Sequence, residues 1–337
     1  MSHRLTVAVA MRTDVAAIAL SPELIRRLGE VADVRLPVLT EFATPGARAS
    51  LAAADVLITG WDCPMIDADV LDVAPRLRAI VHAAGTVKFH LTADVWERGI
   101  AVSSAADANA YPVAQYTVGA ILLAGKRAFR RAADYTAGRV VKDTVDVRAG
   151  NHRRVVGVVG ASRIGRHVLE MLAGHGFRLL VADPTLDAAG AARLTPQGQV
   201  ELADLDDLLR RADVVTVHAP SLPETHHLLD DRRLSLLRDG AVLVNTARGR
   251  LIDTEALTRH CASGRIDAVL DVTDPEPLPV GHPLLGLPNV LVTPHVAGAM
   301  GNELERLGAF AVAEIERIAA GQRLHGEVRS DQLPLLA

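Results

Sequence analysis

The sequence predicts an α/β protein made of two Rossmann-like or flavodoxin-like parallel-sheet domains, with the active site in the cleft between them. Its 337 residues exceed what one compact core usually holds and suit two domains of about 100 to 200 residues. Short apolar runs alternate with helical patterns in two separate series, as in βαβ units. In the second series, five of these runs end on a polar residue suited to catalysis or binding.

The first series runs from residue 1 to about residue 104 and predicts a small parallel sheet covered by helices. Its apolar runs are LTVAVA, VLITG, RAIVHAAG and GIAVSS, with the helical pattern PELIRRLGEV after the first. The opening run is too short for the apolar segment of a signal peptide and is expected to be the first strand. The pattern from Tyr111 to about Arg131 predicts a long connecting helix with Pro112 in its first turn.

The second series begins with RVVGVVG at Arg154 and ends with VLVTPH at His295. Ligands of open parallel sheets bind beyond the carboxyl ends of the strands, so the polar residues at these ends should converge on one site. A further helical pattern runs from Gly298 to Gly321, and this helix is expected to pack back on the first domain. The polar residues at the strand ends are Asp183, His218, Asn245 to Arg248, Asp271 and His295.

Composition excludes several classes of protein. Hydrophobic residues make up 49% and charged residues 23%, as in an average soluble globular protein. A net charge of −4 gives no positive field for nucleic acid or an anionic membrane. The basic residues between Lys126 and Arg154 are interleaved with aspartates, so they are predicted to form a solvated or subunit-facing surface rather than a nucleic-acid site.

The cysteines, histidines and apolar runs predict a soluble cytoplasmic protein without a bound metal. Cys63 and Cys261 lie far apart in the sequence, so they form neither a disulfide framework nor a ligand cluster and suit a reducing compartment. The 13 histidines include no H-E-x-x-H or paired ligand pattern. No apolar run approaches the roughly 20 residues of a membrane-spanning helix.

The segment GVVGASRIGRHVLEMLAGHGFRLLVAD predicts a dinucleotide-binding βαβ unit, with a strand, tight turn, helix and second strand within about 30 residues. Gly160 suits the tight turn, and Gly165 suits the close approach of helix and strand. Ser162 replaces the middle glycine of G-x-G-x-x-G. Its hydroxyl could donate to a phosphate, or its Cβ could displace the cofactor. Arg163 and Ile164 complete the predicted turn.

Asp183 indicates which dinucleotide binds. It ends the second strand, 18 residues after Gly165, where a carboxylate accepts from the ribose hydroxyls and repels a 2′-phosphate. The cofactor is therefore predicted to be NAD rather than NADP. The NAD-binding Rossmann domain would span residues 105–296, inserted into a discontinuous substrate domain of residues 1–104 and 297–337.

The chain resembles the D-isomer-specific 2-hydroxyacid dehydrogenase family over about residues 50–325. The resemblance implies an NAD-dependent oxidoreductase that interconverts a small 2-oxo acid and its D-2-hydroxy acid by hydride transfer. It also implies a homodimer formed around the connecting helix. The matching stretches are GVVGASRIG, ADVVTVHAPSLPETHHLL, LRDGAVLVNTARGRLIDTEAL, AVLDVTDPEP and VLVTPHVAG, in the family's order.

The resemblance implies three catalytic residues. Arg248 would bind the substrate carboxylate and polarise its carbonyl, because a guanidinium is a planar, permanently charged fork. His295 would be the acid in reduction and the base in oxidation. Glu276 would orient the imidazole and favour its protonated form. Taken singly, each residue has an ordinary alternative as a surface arginine, an acidic loop residue or a loop histidine.

Further residues of the predicted site are weaker matches. His218, Thr246 and Asp271 are predicted to bind the cofactor, although Thr246 could instead satisfy backbone groups and Asp271 could cap the next loop. In the loop HAAGTV, the N–H groups of Ala84 and Gly85 are expected to bind the substrate carboxylate, although Gly85 could be only a turn residue. Lys88 makes this loop basic, so a second anionic group on the substrate and a solvated lysine both remain open.

Three other functions compete with a D-2-hydroxyacid dehydrogenase. A serine hydrolase fits poorly because the G-x-S-x-G elbow is missing. Formate dehydrogenase, a similar enzyme, pairs its histidine with glutamine, so Glu276 argues against it. The alternative from another class is an NAD(H)-sensing corepressor on the same fold, for which no disordered interaction segment is evident.

Overall fold

The computed structural model describes residues 4–139, 146 and 148–335. The chain forms two compact units, which we describe separately. Unit 1 comprises Met1–Ala110 with Ala299–Leu336, and unit 2 comprises Tyr111–Gly298. The predicted domains divide at residues 104/105 and 296/297, a few residues before these limits. The assignment of substrate to one domain and cofactor to the other stays a prediction.

Unit 1 contains a parallel sheet covered by helices, as predicted. Its helices before residue 105 are α1 (Thr13–Ala19), α2 (Pro22–Val31), α3 (Pro45–Ala53), α4 (Ala68–Asp72) and α5 (Asp94–Glu97). Its strands are β1 (Leu5–Ala10), β2 (Ala32–Leu39), β3 (Val56–Thr59), β4 (Ala79–His82) and β5 (Ala101–Ser104). Within the described residues the strands pair in parallel, in the order β2-β1-β3-β4-β5.

Strand β1, which lies between β2 and β3, shows why this sheet is covered on both faces. Side chains alternate between the two faces of a strand. Val7 and Val9 join one buried cluster with residues of α1 and α2, whereas Ala8 and Ala10 join another with Leu51 of α3. A run that is apolar at every position, such as LTVAVA, is therefore typical of a strand buried on both sides.

The connecting helix differs from the prediction. It is divided into α6 (Ala106–Gly125) and α7 (Ala128–Thr136), and Pro112 lies inside α6 rather than in its first turn. The division falls at Arg127, which has a left-handed backbone with φ of 55° and donates a 2.9 Å hydrogen bond to Asp267. Arg127 is buried, so the predicted solvated basic surface is wrong at this residue. Lys142, in the same basic stretch, lies outside the described residues.

Unit 2 contains the second parallel sheet. Its helices after α7 are α8 (Arg163–Leu172), α9 (Ala188–Ala192), α10 (Leu205–Arg211), α11 (Asp231–Leu236) and α12 (Thr254–Ala262). Its strands are β6 (Val155–Val159), β7 (Arg178–Ala182), β8 (Val200–Leu202), β9 (Val214–Val217), β10 (Val242–Asn245), β11 (Asp267–Leu270) and β12 (Val290–Val292). Among the described residues their order is β12-β11-β10-β9-β6-β7-β8. The chain reverses direction across the sheet between β6 and β9, which is the switch point where ligands of such sheets bind.

The closing helix α13 (Leu304–Ala319) belongs to unit 1 and packs on α1 and α2, as expected. It begins six residues later than the predicted start at Gly298, because Gly301–Glu303 forms a short 3-10 turn first. Gly308 permits the close packing, since a side chain there would overlap the carbonyl of Ala19. Arg27 of α2 donates to Glu316 of α13 at 2.6 Å.

Among the described residues, none of the helices combines the length and hydropathy that crossing a membrane requires.

Candidate active site

The turn between β6 and α8 brings the helix close to the sheet, as the glycine pattern predicts. Gly160 has a φ of +96°, and a Cβ there would lie 2.7 Å from the backbone nitrogen of Ala219. A Cβ at Gly165 would overlap the carbonyl oxygen of Gly160. Both positions therefore require glycine. The N-terminus of the ten-residue helix α8 follows directly, and such a terminus attracts phosphate groups.

Ser162 caps this helix. Its φ of −62° and ψ of 179° are an extended conformation that needs no glycine, and its Oγ accepts a long hydrogen bond of 3.4 Å from Gly165 N. The hydroxyl proton is not used by this bond, so Ser162 can still donate to an anion. Of the other two predicted residues of the turn, Arg163 is exposed and Ile164 is half-buried.

Asp183 joins the turn to the end of β7. Its Oδ2 accepts from Ala161 N at 2.7 Å, and its Oδ1 accepts from the backbone and hydroxyl of Thr185 at 2.8 and 2.5 Å. Burial opposes ionisation, but these hydrogen bonds outweigh it and hold the pKa of Asp183 below its usual value. A carboxylate has about four acceptor positions, so three hydrogen bonds leave about one for a ribose hydroxyl.

His218 lies directly behind this turn. Its Nε2 is 2.9 Å from Thr216 Oγ1, and burial lowers its pKa to about 3, so the ring is neutral. Within the described residues its buried Nδ1 has no hydrogen-bond partner. Thr246 is also buried, and its hydroxyl lies 2.8 Å from that of Thr117 in α6. The tight turn, the helix terminus and the acidic strand end fit a dinucleotide, and contacts from His218 and Thr246 to it stay predictions.

Arg248 follows β10 on a turn that its neighbours hold in place. Asn245 accepts from Ala247 N at 3.1 Å and donates to the carbonyl of Arg248 at 2.9 Å. A side chain at Gly249 would overlap the backbone of Thr273, so this turn packs tightly on the loop after β11. Burial lowers the pKa of Arg248, while the charge of Glu276 opposes that shift.

His295 and Glu276 form the pair that the resemblance implies. The imidazole Nδ1 lies 2.7 Å from Glu276 Oε1, and half of the His295 side chain is exposed (51%). Because Nδ1 faces the carboxylate, Nε2 is the nitrogen left for a substrate. His295 has a φ of +54°, a left-handed conformation that residues other than glycine rarely adopt and that occurs often at functional sites.

Asp271 holds the loop that carries His295. It is 1% exposed, and its carboxylate accepts from Thr293 Oγ1 at 2.6 Å, Val296 N at 2.8 Å and Ala297 N at 2.9 Å. The loop-capping role left open by the sequence is therefore present. A contact from Asp271 to the cofactor stays a prediction. The hydroxyl of Tyr116 reaches the same network, 2.8 Å from Thr293 Oγ1, and neither residue is among those predicted from the sequence.

The predicted carboxylate-binding loop belongs to unit 1 and follows β4. Ala84 is buried, Gly85 and Lys88 are half-buried, and the Ser104 hydroxyl donates to the carbonyl of Ala84 at 3.2 Å. His82 and His90 flank the loop, with ring centroids 4.3 Å apart. A role for the loop in substrate binding stays a prediction.

One group of possible metal ligands occurs in the described chain, although the sequence predicts no metal. The ligand atoms of His226, His227 and Asp274 lie within 4.8 Å of one another. However, the two rings stack with centroids 3.9 Å apart and planes 22° from parallel. An imidazole binds a metal in its own ring plane, so two nearly parallel rings do not point at one ion.

Comparison with known proteins decides the family. The model of the D-isomer specific 2-hydroxyacid dehydrogenase NAD-binding domain matches residues 118–297. The chain belongs to this family. The predicted family and its NAD cofactor are thereby confirmed.

Similar proteins include enzymes with different substrates. The chain is 34% identical to D-3-phosphoglycerate dehydrogenase of Mycobacterium leprae over 84% of this chain and 52% of that protein. It is 32% identical to glyoxylate reductase of Thermofilum pendens over 76% of each chain. It thus spans about half the length of the phosphoglycerate dehydrogenase. The structure of D-lactate dehydrogenase from Lactobacillus jensenii has the same fold, with a TM-score of 0.82 at 20% identity over 96% of this chain and 100% of that one.

Proposed function

We propose that this protein is an NAD-dependent D-2-hydroxyacid dehydrogenase that interconverts a small 2-oxo acid and its D-2-hydroxy acid. The observation that carries the proposal is the 2.7 Å hydrogen bond between His295 and Glu276, together with the half-buried Arg248 on the turn after β10. These residues follow β12, β11 and β10, which are adjacent parallel strands. A proton donor and a cation for a carboxylate are the two groups that reduction of a 2-oxo acid needs from the protein.

Arg248 binds the substrate in this proposal. Its fork of N–H donors holds the carboxylate and polarises the neighbouring ketone. Partial burial strengthens both interactions, because the surroundings screen charge less than water does. Among the described residues, the Arg248 side chain donates one hydrogen bond, from Nη1 to the carbonyl of the neighbouring Ala247 at 2.7 Å. Its remaining N–H groups suit a bidentate contact with a substrate carboxylate.

His295 transfers the proton. In reduction its Nε2–H gives a proton to the carbonyl oxygen as a hydride reaches the carbonyl carbon, and in oxidation Nε2 takes that proton back. Glu276 holds Nδ1 and stabilises the imidazolium. The hydride is the chemistry that bound NADH supplies. Gly160, Ser162, Arg163, Ile164 and Gly165 would hold its phosphates, and Asp183 its ribose; His218, Thr246 and Asp271 remain further candidates.

Residues of unit 1 would add further contacts to the substrate in this proposal. Ala84 and Gly85 would add backbone donors for the carboxylate, and Lys88 would favour a substrate with a second anionic group. We also propose a homodimer formed around the connecting helix, supported by the exposed apolar side chain of Leu123 in α6. The free, buried thiols of Cys63 and Cys261 suit a reducing cytoplasm.

A screen of 2-oxo acids with NADH tests the proposal, and it should include phosphonate and dicarboxylate compounds. His295→Ala should lower kcat by roughly 10² to 10⁴-fold, the usual contribution of a positioned acid or base, with little change in the Kd of NADH. His175→Ala is the matched control, because His175 is an exposed histidine elsewhere in unit 2. NADH binding without turnover of any 2-oxo acid would contradict the dehydrogenase and favour the NAD(H)-sensing corepressor.

A further inference from the structure

We propose that Tyr116 is a positioning residue that fixes the His295 loop through Thr293 and Asp271. This inference rests on the proposed function, in which His295 transfers the proton. It starts from the chain of hydrogen bonds that connects the phenol of α6 to the carboxylate after β11. The two steps are 2.8 Å from Tyr116 Oη to Thr293 Oγ1 and 2.6 Å from Thr293 Oγ1 to Asp271 Oδ1.

The direction of the chain follows from the number of protons. Thr293 has one hydroxyl proton and gives it to the carboxylate, which is the stronger acceptor. Thr293 Oγ1 must then accept from Tyr116, so the phenol is the donor at the start of the chain. Burial raises the pKa of Tyr116. The phenol therefore keeps its proton.

The same carboxylate determines the path of the backbone at His295. Asp271 accepts from the next two amides, Val296 N and Ala297 N, while its carbonyl accepts from His295 N at 2.9 Å. His295 has a left-handed φ, which is unfavourable for a histidine and persists only where neighbouring contacts impose it. A carboxylate fixed from one side by Thr293 and Tyr116 supplies such contacts. The ring of His295 then meets Glu276 at hydrogen-bond distance.

Removal of the phenol oxygen should loosen this loop without touching substrate or cofactor directly. Tyr116→Phe keeps the ring and removes only the donor, and Thr293→Val removes the link. In both variants the amides of His295, Val296 and Ala297 should exchange hydrogen about fivefold faster, as expected from the loss of one hydrogen bond. The value of kcat should fall about tenfold, since small misplacements of a catalytic group are costly, while the Kd of NADH stays within twofold.

Two variants separate positioning from a general effect on stability. Thr293→Ser keeps the hydroxyl and should restore both exchange and kcat to near the parent values. Tyr135→Phe is the matched control, because Tyr135 is an exposed tyrosine of the neighbouring helix α7, and it should change neither quantity.

Hydrogen exchange is followed by mass spectrometry on peptides covering residues 293–298, alongside steady-state kinetics. Unchanged exchange in Tyr116→Phe would overturn the inference, and so would faster exchange with kcat within twofold of the parent. If the parent reduces no 2-oxo acid, the proposed function fails, and the exchange data alone still decide whether Tyr116 holds the loop.

Discussion

At Arg248 a partly buried guanidinium lies within the influence of the Glu276 carboxylate, and burial lowers its pKa from the usual value. The shift is harmless to the charge, because an arginine remains protonated at any pH the protein experiences. For binding a 2-oxo acid, the planar shape of the guanidinium matters more than its charge alone. A planar fork can contact a carboxylate and a ketone oxygen together, whereas an ammonium group acts as a point charge.

Arg248→Lys should therefore lower kcat/KM by at least about tenfold although the charge is kept. The Kd of NADH should change little. Arg250→Lys is a matched control, since Arg250 is exposed two residues further along the same turn. Steady-state kinetics with the best substrate of the screen, together with NADH fluorescence titration, measures both quantities. If Arg248→Lys retains kcat/KM within about threefold of the parent, the fork is not what binds the substrate.

Asp183 should give the protein a preference for NADH over NADPH. Its carboxylate has about one acceptor position left for a ribose hydroxyl and repels a 2′-phosphate. Asp183→Ala should lower the ratio of kcat/KM with NADH to kcat/KM with NADPH. It should also weaken the binding of NADH, because Ala161 and Thr185 lose their hydrogen-bond acceptor.

The control for this experiment is Asp204→Ala, which removes an exposed aspartate of the same unit whose side chain does not cap α10. It should leave the cofactor preference unchanged. Equal efficiency of the parent with NADH and NADPH would remove Asp183 from the cofactor site.

The residues of the candidate site differ in how far the sequence reveals them. Arg248, Glu276 and His295 follow apolar runs in recognisable motifs, so their convergence could be predicted. Tyr116 and Thr293 could not, because their importance depends on a contact between a helix and a loop 177 residues apart. The role of Asp271 could be predicted only in part. Its position at the end of a strand follows from the sequence, but the donors that surround it include backbone amides of the folded loop.

At the scale of elements, the strands were predictable and the helix bounds were not. Apolar runs such as DVVTVH and AVLVN ended where expected because buried parallel strands need apolar side chains on both faces. The helix pattern around Arg127 is locally continuous, yet α6 and α7 are separate. The break coincides with a buried ion pair to Asp267, 140 residues away, which no local pattern shows.

Arg127→Ala should lower the free energy of unfolding by about 3–5 kcal/mol, the usual cost of removing one partner of a buried ion pair. Burial already raises the pKa of Asp267, and Arg127 opposes that rise, so removal of the arginine leaves the buried carboxylate to the more exposed Arg130, 3.6 Å away. Arg131→Ala should cost about 0–1 kcal/mol, because Arg131 is half exposed and its partner lies 3.7 Å away. Urea unfolding measures both variants, and similar losses in the two would show that the Arg127–Asp267 pair does not stabilise the break between the helices.

At the scale of the whole molecule, both units contain buried neutral histidines. Burial lowers the pKa of His90 to about 4 and that of His82 well below the usual value in unit 1. In unit 2 it lowers the pKa of His218 to about 3. None of these rings can take up a proton near neutral pH while the protein is folded, whereas the unfolded chain protonates them below about pH 6.5.

The sign of the pH dependence follows from this difference. Below about pH 6.5 the unfolded state binds more protons than the folded state, so stability falls as the pH falls, until the folded-state pKa of each histidine is reached. His218, with a folded-state pKa of about 3, should contribute a slope that approaches about 1.4 kcal/mol per pH unit between about pH 6 and pH 4.

His218→Asn removes this group and should make the decline in unfolding free energy shallower by about that amount. His175→Asn, at an exposed histidine, should leave the slope unchanged. Urea unfolding at pH 7.5, 6, 5 and 4.5 measures the slopes. Parallel curves for the parent and His218→Asn would mean that His218 is protonated in the folded state, contrary to its burial.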